Sequence, residues 1–97
     1  MANEVQQLRE LIELRLVKHG RASLVEVLAE FDCRNHALPS AWKWRQAFEQ
    51  LTPLTSISED CLHLELSATP AEPPQLPDDA IARIVELYRR SASAQRQ

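Results

Sequence analysis

Glycine is almost missing from this sequence. Its 97 residues contain one, Gly20. Phosphate-cradling loops of the P-loop and dinucleotide-binding kinds need several glycines at fixed offsets, so both are excluded. Cysteine is scarce as well. Cys33 and Cys61 are too few for a disulfide framework, and in a reducing compartment they stay thiols. No apolar run approaches the roughly 18 residues that a membrane helix needs, so no membrane span is expected. Residues Met1 to Gln7 lack the basic start and apolar stretch of a signal peptide, which makes the cytoplasm the expected location. Positive charge is also in short supply: 11 lysines and arginines face 14 acids, for a net charge of −3. Domains that grip long duplex DNA through many phosphates are usually strongly basic, so duplex DNA is disfavoured, while a local basic face remains open.

What is present is helical periodicity. Val5, Leu8, Ile12 and Leu16 recur at spacings of three and four, with Leu11, Leu14 and Val17 widening the stripe, and they predict a helix from Glu4 to Lys18. Lys18, His19 and Gly20 form a stop signal, because cations suit the negative helix end and glycine tolerates a left-handed cap. Ser23-Leu24-Val25-Glu26 is a capping box that starts a second helix on Leu24, Val27, Leu28 and Phe31. The period lapses over Asp32 to His36, which predicts a loop. Pro39 or Ser40 opens a third helix to about Leu51, with Ala41, Trp44, Phe48 and Leu51 on one face.

A β signal follows. Leu54 to Ile57 is short and β-branched, Ser58-Glu59-Asp60 is turn chemistry, and Cys61 to Leu66 alternates strictly. Leu62, Leu64 and Leu66 are expected on the buried side, and Cys61, His63 and Glu65 on the other. Residues 67–77 carry Pro70, Pro73, Pro74 and Pro77 and read as an extended linker. Asp78 is expected to cap a fourth helix over residues 78–92, striped by Ile81, Ile84, Val85 and Tyr88, ahead of a frayed tail at 93–97. The expected fold is mainly α with a small antiparallel β-hairpin. It is a winged helix-turn-helix over residues 1–66, then a proline-rich linker, then a C-terminal amphipathic helix.

The order of features over residues 8–66 resembles the LOTUS domain, also called OST-HTH. The resemblance lies in the leucine-rich helix from Leu8 to Gly20, the pattern Ser23-Leu24-x-x-Val27-Leu28, and the aromatics Trp44 and Phe48 before Leu51. It ends on the strand Leu62-His63-Leu64-Glu65-Leu66. The paired glycines often seen before the second helix of that family are absent. The resemblance implies RNA binding or docking onto a partner protein.

In a helix-turn-helix the third helix meets the ligand. If Trp44 and Phe48 face the core, Trp42, Lys43, Gln46 and Gln50 point outward, with Arg45 at the boundary. Lys18 and Arg21 extend the candidate face, and Glu49 weakens it. Tryptophan stacks on bases or anchors protein interfaces, lysine meets phosphates, and glutamine reads base edges. The alternative is that Trp42 packs beneath the hairpin or the last helix. Nucleic acid, with RNA or single strands ahead of duplex DNA, is the first expected ligand, and a protein partner is the second. The stripe Ile81, Ile84, Val85 and Tyr88 must bury somewhere, because a short helix is marginal alone. It can fold back or enter a partner's groove, and a homodimer through it is the expectation. Cys33-x-x-His36 and Cys61-x-His63 hold legal zinc ligands, but their spacings match no zinc motif, so no metal and no cofactor is expected. A Cys33 nucleophile would need an activating base, an orienting third group and an oxyanion hole, which the sequence does not build, so no enzyme is expected.

Overall fold

The computed structural model describes residues 3–51, 54–68 and 74–95. The elements are α1 (Glu4–His19), β1 (Arg21–Ser23), α2 (Leu24–Asn35), α3 (Ala41–Glu49), β2 (Thr55–Ile57), β3 (His63–Leu66) and α4 (Asp78–Gln95). The three strands form one antiparallel sheet in the order β1-β3-β2. The fold is therefore mainly helical with a small β-hairpin, in the winged-helix order, followed by the fourth helix.

The first three helices each begin where the sequence offers a side-chain acceptor. Asn3 Oδ1 accepts from the Val5 amide at 2.8 Å and opens α1. Ser23 and Ser40 accept from the Glu26 and Lys43 amides and open α2 and α3. α1 ends at Gly20, whose φ of 71° is the left-handed cap and whose amide donates to Leu16 O at 2.8 Å.

That cap reverses the chain into β1, a strand the sequence did not reveal. Three residues are too few to show a period. The strand exists because β3 supplies its partners: Arg21, Ala22 and Ser23 stand opposite Glu65, Leu64 and His63. On the other edge of β3, Thr55, Ser56 and Ile57 oppose Leu66, Glu65 and Leu64. Ala22, Leu64 and Ile57 thus form one row on the inner face. Leu64 is fully buried in that row.

The expected strand pattern holds at Leu64 and fades toward both ends. Leu62 is half-buried in the turn before β3, and Leu66 is 44% exposed at the strand's end. His63 is also half-buried rather than open. α1 likewise buries a narrower stripe than its leucines suggested. Val5, Leu8, Leu11, Ile12 and Leu16 are buried, while Leu14 and Val17 face away from the core. At 100° per residue Leu14 lies opposite Val5, which explains its exposure.

Three further expectations are corrected. Residues 32–35 are helical, not loop: α2 continues to Asn35, whose side-chain amide donates to Phe31 O at 3.0 Å, and His36 closes it at φ 55°. An Arg34–Glu30 pair at i,i+4 supports that last turn. Asp78 lies inside the first turn of α4 rather than capping it, and the Ile81 amide donates to Pro77 O. The end of the expected linker is not free: Pro74 and Leu76 are buried, and Leu76 belongs to the core. Residues 69–73 of that linker, and 96–97 of the expected tail, lie outside the described residues; α4 itself runs through Gln95.

The core's largest members are Trp44, Phe31 and Phe48. Trp44 and Phe48 meet edge to face, with ring centroids 6.1 Å apart. Phe48→Ala should therefore cost about 3–5 kcal/mol in chemical denaturation. Gly20→Ala should cost only about 1 kcal/mol, because nothing stands within 4 Å of an added Cβ and the left-handed φ alone opposes it. A Gly20→Ala loss as large as the Phe48→Ala loss would contradict this reading of the cap.

Candidate functional site

α3 turns Trp42 outward as expected, but Arg45, expected at the core boundary, is exposed, and Lys43, expected outward, is half-buried. Trp44, Ala47 and Phe48 are buried, and Trp42 is 59% exposed, so its indole does not pack beneath the hairpin or α4. Gln50 is exposed as its C-cap, and Gln46 is half-buried. Trp42 thus offers a large aromatic surface in the first turn of the helix.

The cations beside it are engaged. Lys43 Nζ pairs with Glu4 at the start of α1, and Arg45 pairs with Asp78 at the start of α4. Glu49 is exposed on the same helix. Pairs this exposed contribute about 0–1 kcal/mol each, so they can be displaced, but they leave the face close to neutral. Glu49 is the acid expected to weaken this face, whereas Glu4 and Asp78, which pair with its cations, come from other helices. Each lies in the first turn of its helix, where a carboxylate favours the positive end of the dipole, and that placement was the available signal.

The expected basic face does not form as one surface. Lys43 is tied to the first residue of α1, whereas Lys18 and Arg21 stand at that helix's far end. Fourteen residues of helix separate Glu4 from Lys18, roughly 20 Å at about 1.5 Å per residue. Arg21 lies 3.6 Å from Glu65 across the sheet, and Lys18 makes no ion pair among the described residues. The outer face of α3 and the Lys18–Arg21 corner are therefore two places.

Beside α3 a groove of about 770 Å³ runs between Arg45, Phe48 and Glu49 on one wall and Pro74 to Asp78 on the other. The stripe of α4 is already covered in this chain. Ile84 is fully buried and Ile81 nearly so, packed with α2, and Val85 and Tyr88 flank them half-buried. Tyr88 donates its hydroxyl hydrogen to Asp32 Oδ2 on α2 at 2.6 Å. A homodimer through this stripe would require α4 to exchange between two chains.

The wing's tip is held by a short polar relay. The His63 amide donates to Ser58 Oγ at 3.1 Å, and the Ser58 hydroxyl donates to Asp60 Oδ1 at 2.6 Å. Leu62 N donates to the same oxygen at 3.0 Å. Cys61 turns through φ 60° to allow it. Cys33, His36, Cys61 and His63 do not gather: among the described residues no group of three or more such side chains could hold a metal ion.

Comparison with protein-family models, with curated proteins and with solved structures finds no match to this chain.

Two measurements check this geometry. Tyr88→Phe should lower stability by about 1–2 kcal/mol in urea denaturation, the loss of a hydrogen bond to a carboxylate. An unchanged midpoint would mean α4 is not clasped to α2. The Ser58 hydroxyl, and then the Leu62 amide, hold the Asp60 carboxyl below its ordinary value of 3.8. The tip's stabilisation is therefore complete above that value and lost as pH falls through the lowered one. A carbon-detected titration should show Asp60 taking up its proton at a lower pH than a free aspartate, and Ser58→Ala should return it toward the ordinary value.

Proposed function

We infer that this chain is a non-catalytic winged-helix binding module that docks a partner protein through the outer face of α3. The observation that carries the reading is Trp42, 59% exposed on a helix whose neighbouring cations are paired with Glu4 and Asp78. Tryptophan is a characteristic interface anchor because it brings a large rigid surface at low entropic cost. A groove farther along the same helix, lined by Phe48, Leu76 and Pro77 among others, adds apolar walls. The net charge of −3 points the same way, since it weakens any sequence-independent grip on phosphates. Two free thiols, with Cys33 exposed, fit a reducing cytoplasm. No helix among the described residues is long and apolar enough to cross a membrane.

A second reading rests on the same indole. An exposed tryptophan can stack on an unpaired base, and RNA or single strands would then be the ligand, read by α3 and the wing. The resemblance to the LOTUS domain supports either ligand. Salt separates them, because phosphate contacts weaken steeply with added salt and an apolar interface does not.

A photo-crosslinking amino acid at position 42, in cells producing the chain, should yield one defined protein adduct. Affinity for that protein should change little with salt. Trp42→Ala should cost about 2 kcal/mol or more of binding, while leaving thermal unfolding almost unchanged because the side chain is exposed. Binding to a mixed RNA and single-stranded DNA panel that falls steeply with salt and is lost in Trp42→Ala would transfer the site to the second reading.

A further inference from the structure

Strand alternation gathers an unexpected set of polar side chains at the far end of α1. In the register of β1 and β3, Arg21 stands opposite Glu65 and Ser23 opposite His63, all on the sheet face away from Leu64. The C-terminal turn of α1 and the N-terminal turn of α2 close over part of that face. The result is a pocket of about 370 Å³ lined by Arg15, His19, Arg21, Ser23, Glu26 and His63. Of these only Arg21 was expected on a binding face, because the six come from four elements and share no period.

The pocket is rich in unused donors. Arg21 Nε is 3.6 Å from Glu65, too far for a hydrogen bond, so the guanidinium has no hydrogen-bond partner among the described residues. Arg15 Nε and His63 Nδ1 are buried and have none either. Ser23 Oγ accepts from the Glu26 amide at 3.4 Å and keeps its own hydrogen to donate. The positive end of the 12-residue helix α2 borders the same space. Buried polar atoms are normally satisfied, so two orphans on residues that line one pocket mark a polar cluster whose hydrogen bonding is incomplete.

Acids also face the pocket. Glu26 lines it, at 3.4 Å from Arg15, and its side chain is 67% exposed. Glu30 holds Arg15 Nη2 at 2.9 Å, and Glu65 lies beside Arg21. Glu30 therefore fixes Arg15 in place, while Glu26 is loosely held and free to swing into solvent. An incoming oxyanion with several acceptor oxygens would meet the exposed Arg21 guanidinium and the Ser23 hydroxyl together, beside Arg15.

The geometry points to a phosphate-group site at this pocket, separate from the α3 surface and independent of what that surface binds. Phosphate matches a fork of guanidinium donors at a helix N-terminus, and the pocket is larger than one phosphate, so the group can arrive attached to something. Trp42 stands at the opposite end of α1, so failure of one site leaves the other untouched.

The full chain, titrated with inorganic phosphate up to tens of millimolar and followed by NMR, should show saturable shifts at Arg15, His19, Arg21, Ser23 and His63. Arg21→Gln should weaken binding about tenfold, the usual loss of a charge-assisted pair. Ser23→Gly keeps a residue tolerated at helix starts and should weaken it less, and Lys18→Gln, whose side chain lies outside the pocket, should change it little. Parallel titrations with a mononucleotide and a short single-stranded oligonucleotide identify the source of the phosphate as whichever binds most tightly at these same residues. Shifts that never saturate, shifts elsewhere, or an equal loss in Lys18→Gln and Arg21→Gln would overturn the site, since general charge attraction would then explain the effect.

Discussion

The structure depends on β3 being inserted between β1 and β2. Every other contact of the sheet passes through it, because β1 and β2 do not pair with each other. Its central residue, Leu64, has Ala22 on one side and Ile57 on the other, and it seals the bottom of the helical core. The N-terminal half of the chain must therefore leave a strand's edge open for a segment about 40 residues later. Gly20 makes that possible. A left-handed cap turns the chain from α1 directly along the sheet, and Gly20 O accepts from Leu66 N at 3.1 Å. At the other end of β1, Leu24 N donates to Leu62 O at 2.9 Å, so the strand is pinned on both sides of its three residues. Long-range pairing of this kind must pay loop-closure entropy before it gains contacts, so the helices are expected to associate before the sheet is complete.

The acid excess is used for local pairing rather than for a strong overall field. Glu4 and Asp78 sit in the first turns of α1 and α4 and meet the two cations of α3. Glu30 joins Arg15 on α1 to Arg34 on its own helix. Asp32 takes the Tyr88 hydroxyl. Each exposed pair contributes little to stability, but each fixes the position of a helix end relative to a neighbour. α3 is consequently nearly neutral at its flanks and apolar at Trp42, while Arg21, 3.6 Å from Glu65, lies elsewhere.

Much of the fold was legible because the long elements announce themselves twice, by a cap and by a period. Ser23, Ser40 and Gly20 mark real boundaries, and Trp44 and Phe48 face inward as their spacing requires. The misreadings fall where local pattern and tertiary surroundings diverge. Leu14, Val17 and Leu66 look like core residues by type but lie on directions that no neighbouring element covers. Asp32 to Asn35 look like loop by composition, yet a pair to Glu30 and the hydroxyl of Tyr88 draw them into α2. β1 was invisible because a three-residue strand is defined by its partner. The candidate surface was half legible. Helical geometry places Trp42 outside, but whether Lys18 and Lys43 share a face depends on how α1 packs against α3, which no single-element argument contains.

That separation shapes what the molecule can do. α1 is a rod of 16 residues, roughly 24 Å long at about 1.5 Å per residue, and its two ends carry different chemistry. At its start, the Glu4–Lys43 pair leaves the indole of Trp42 as the dominant exposed group. At its end, arginine, histidine and serine surround a polar pocket. The rod is held along one side by α3 and the sheet, so the two ends cannot approach each other without unfolding the core. The two ends are therefore separate surfaces, and any coupling between them would have to pass through the packed leucines of α1. α4 adds the remaining constraint. By lying on α2 and anchoring to α3 through Asp78, it narrows the approach to α3 on the side of Phe48 and leaves the Trp42 side open. The open side of α3 is thus set by a segment outside the winged-helix unit itself.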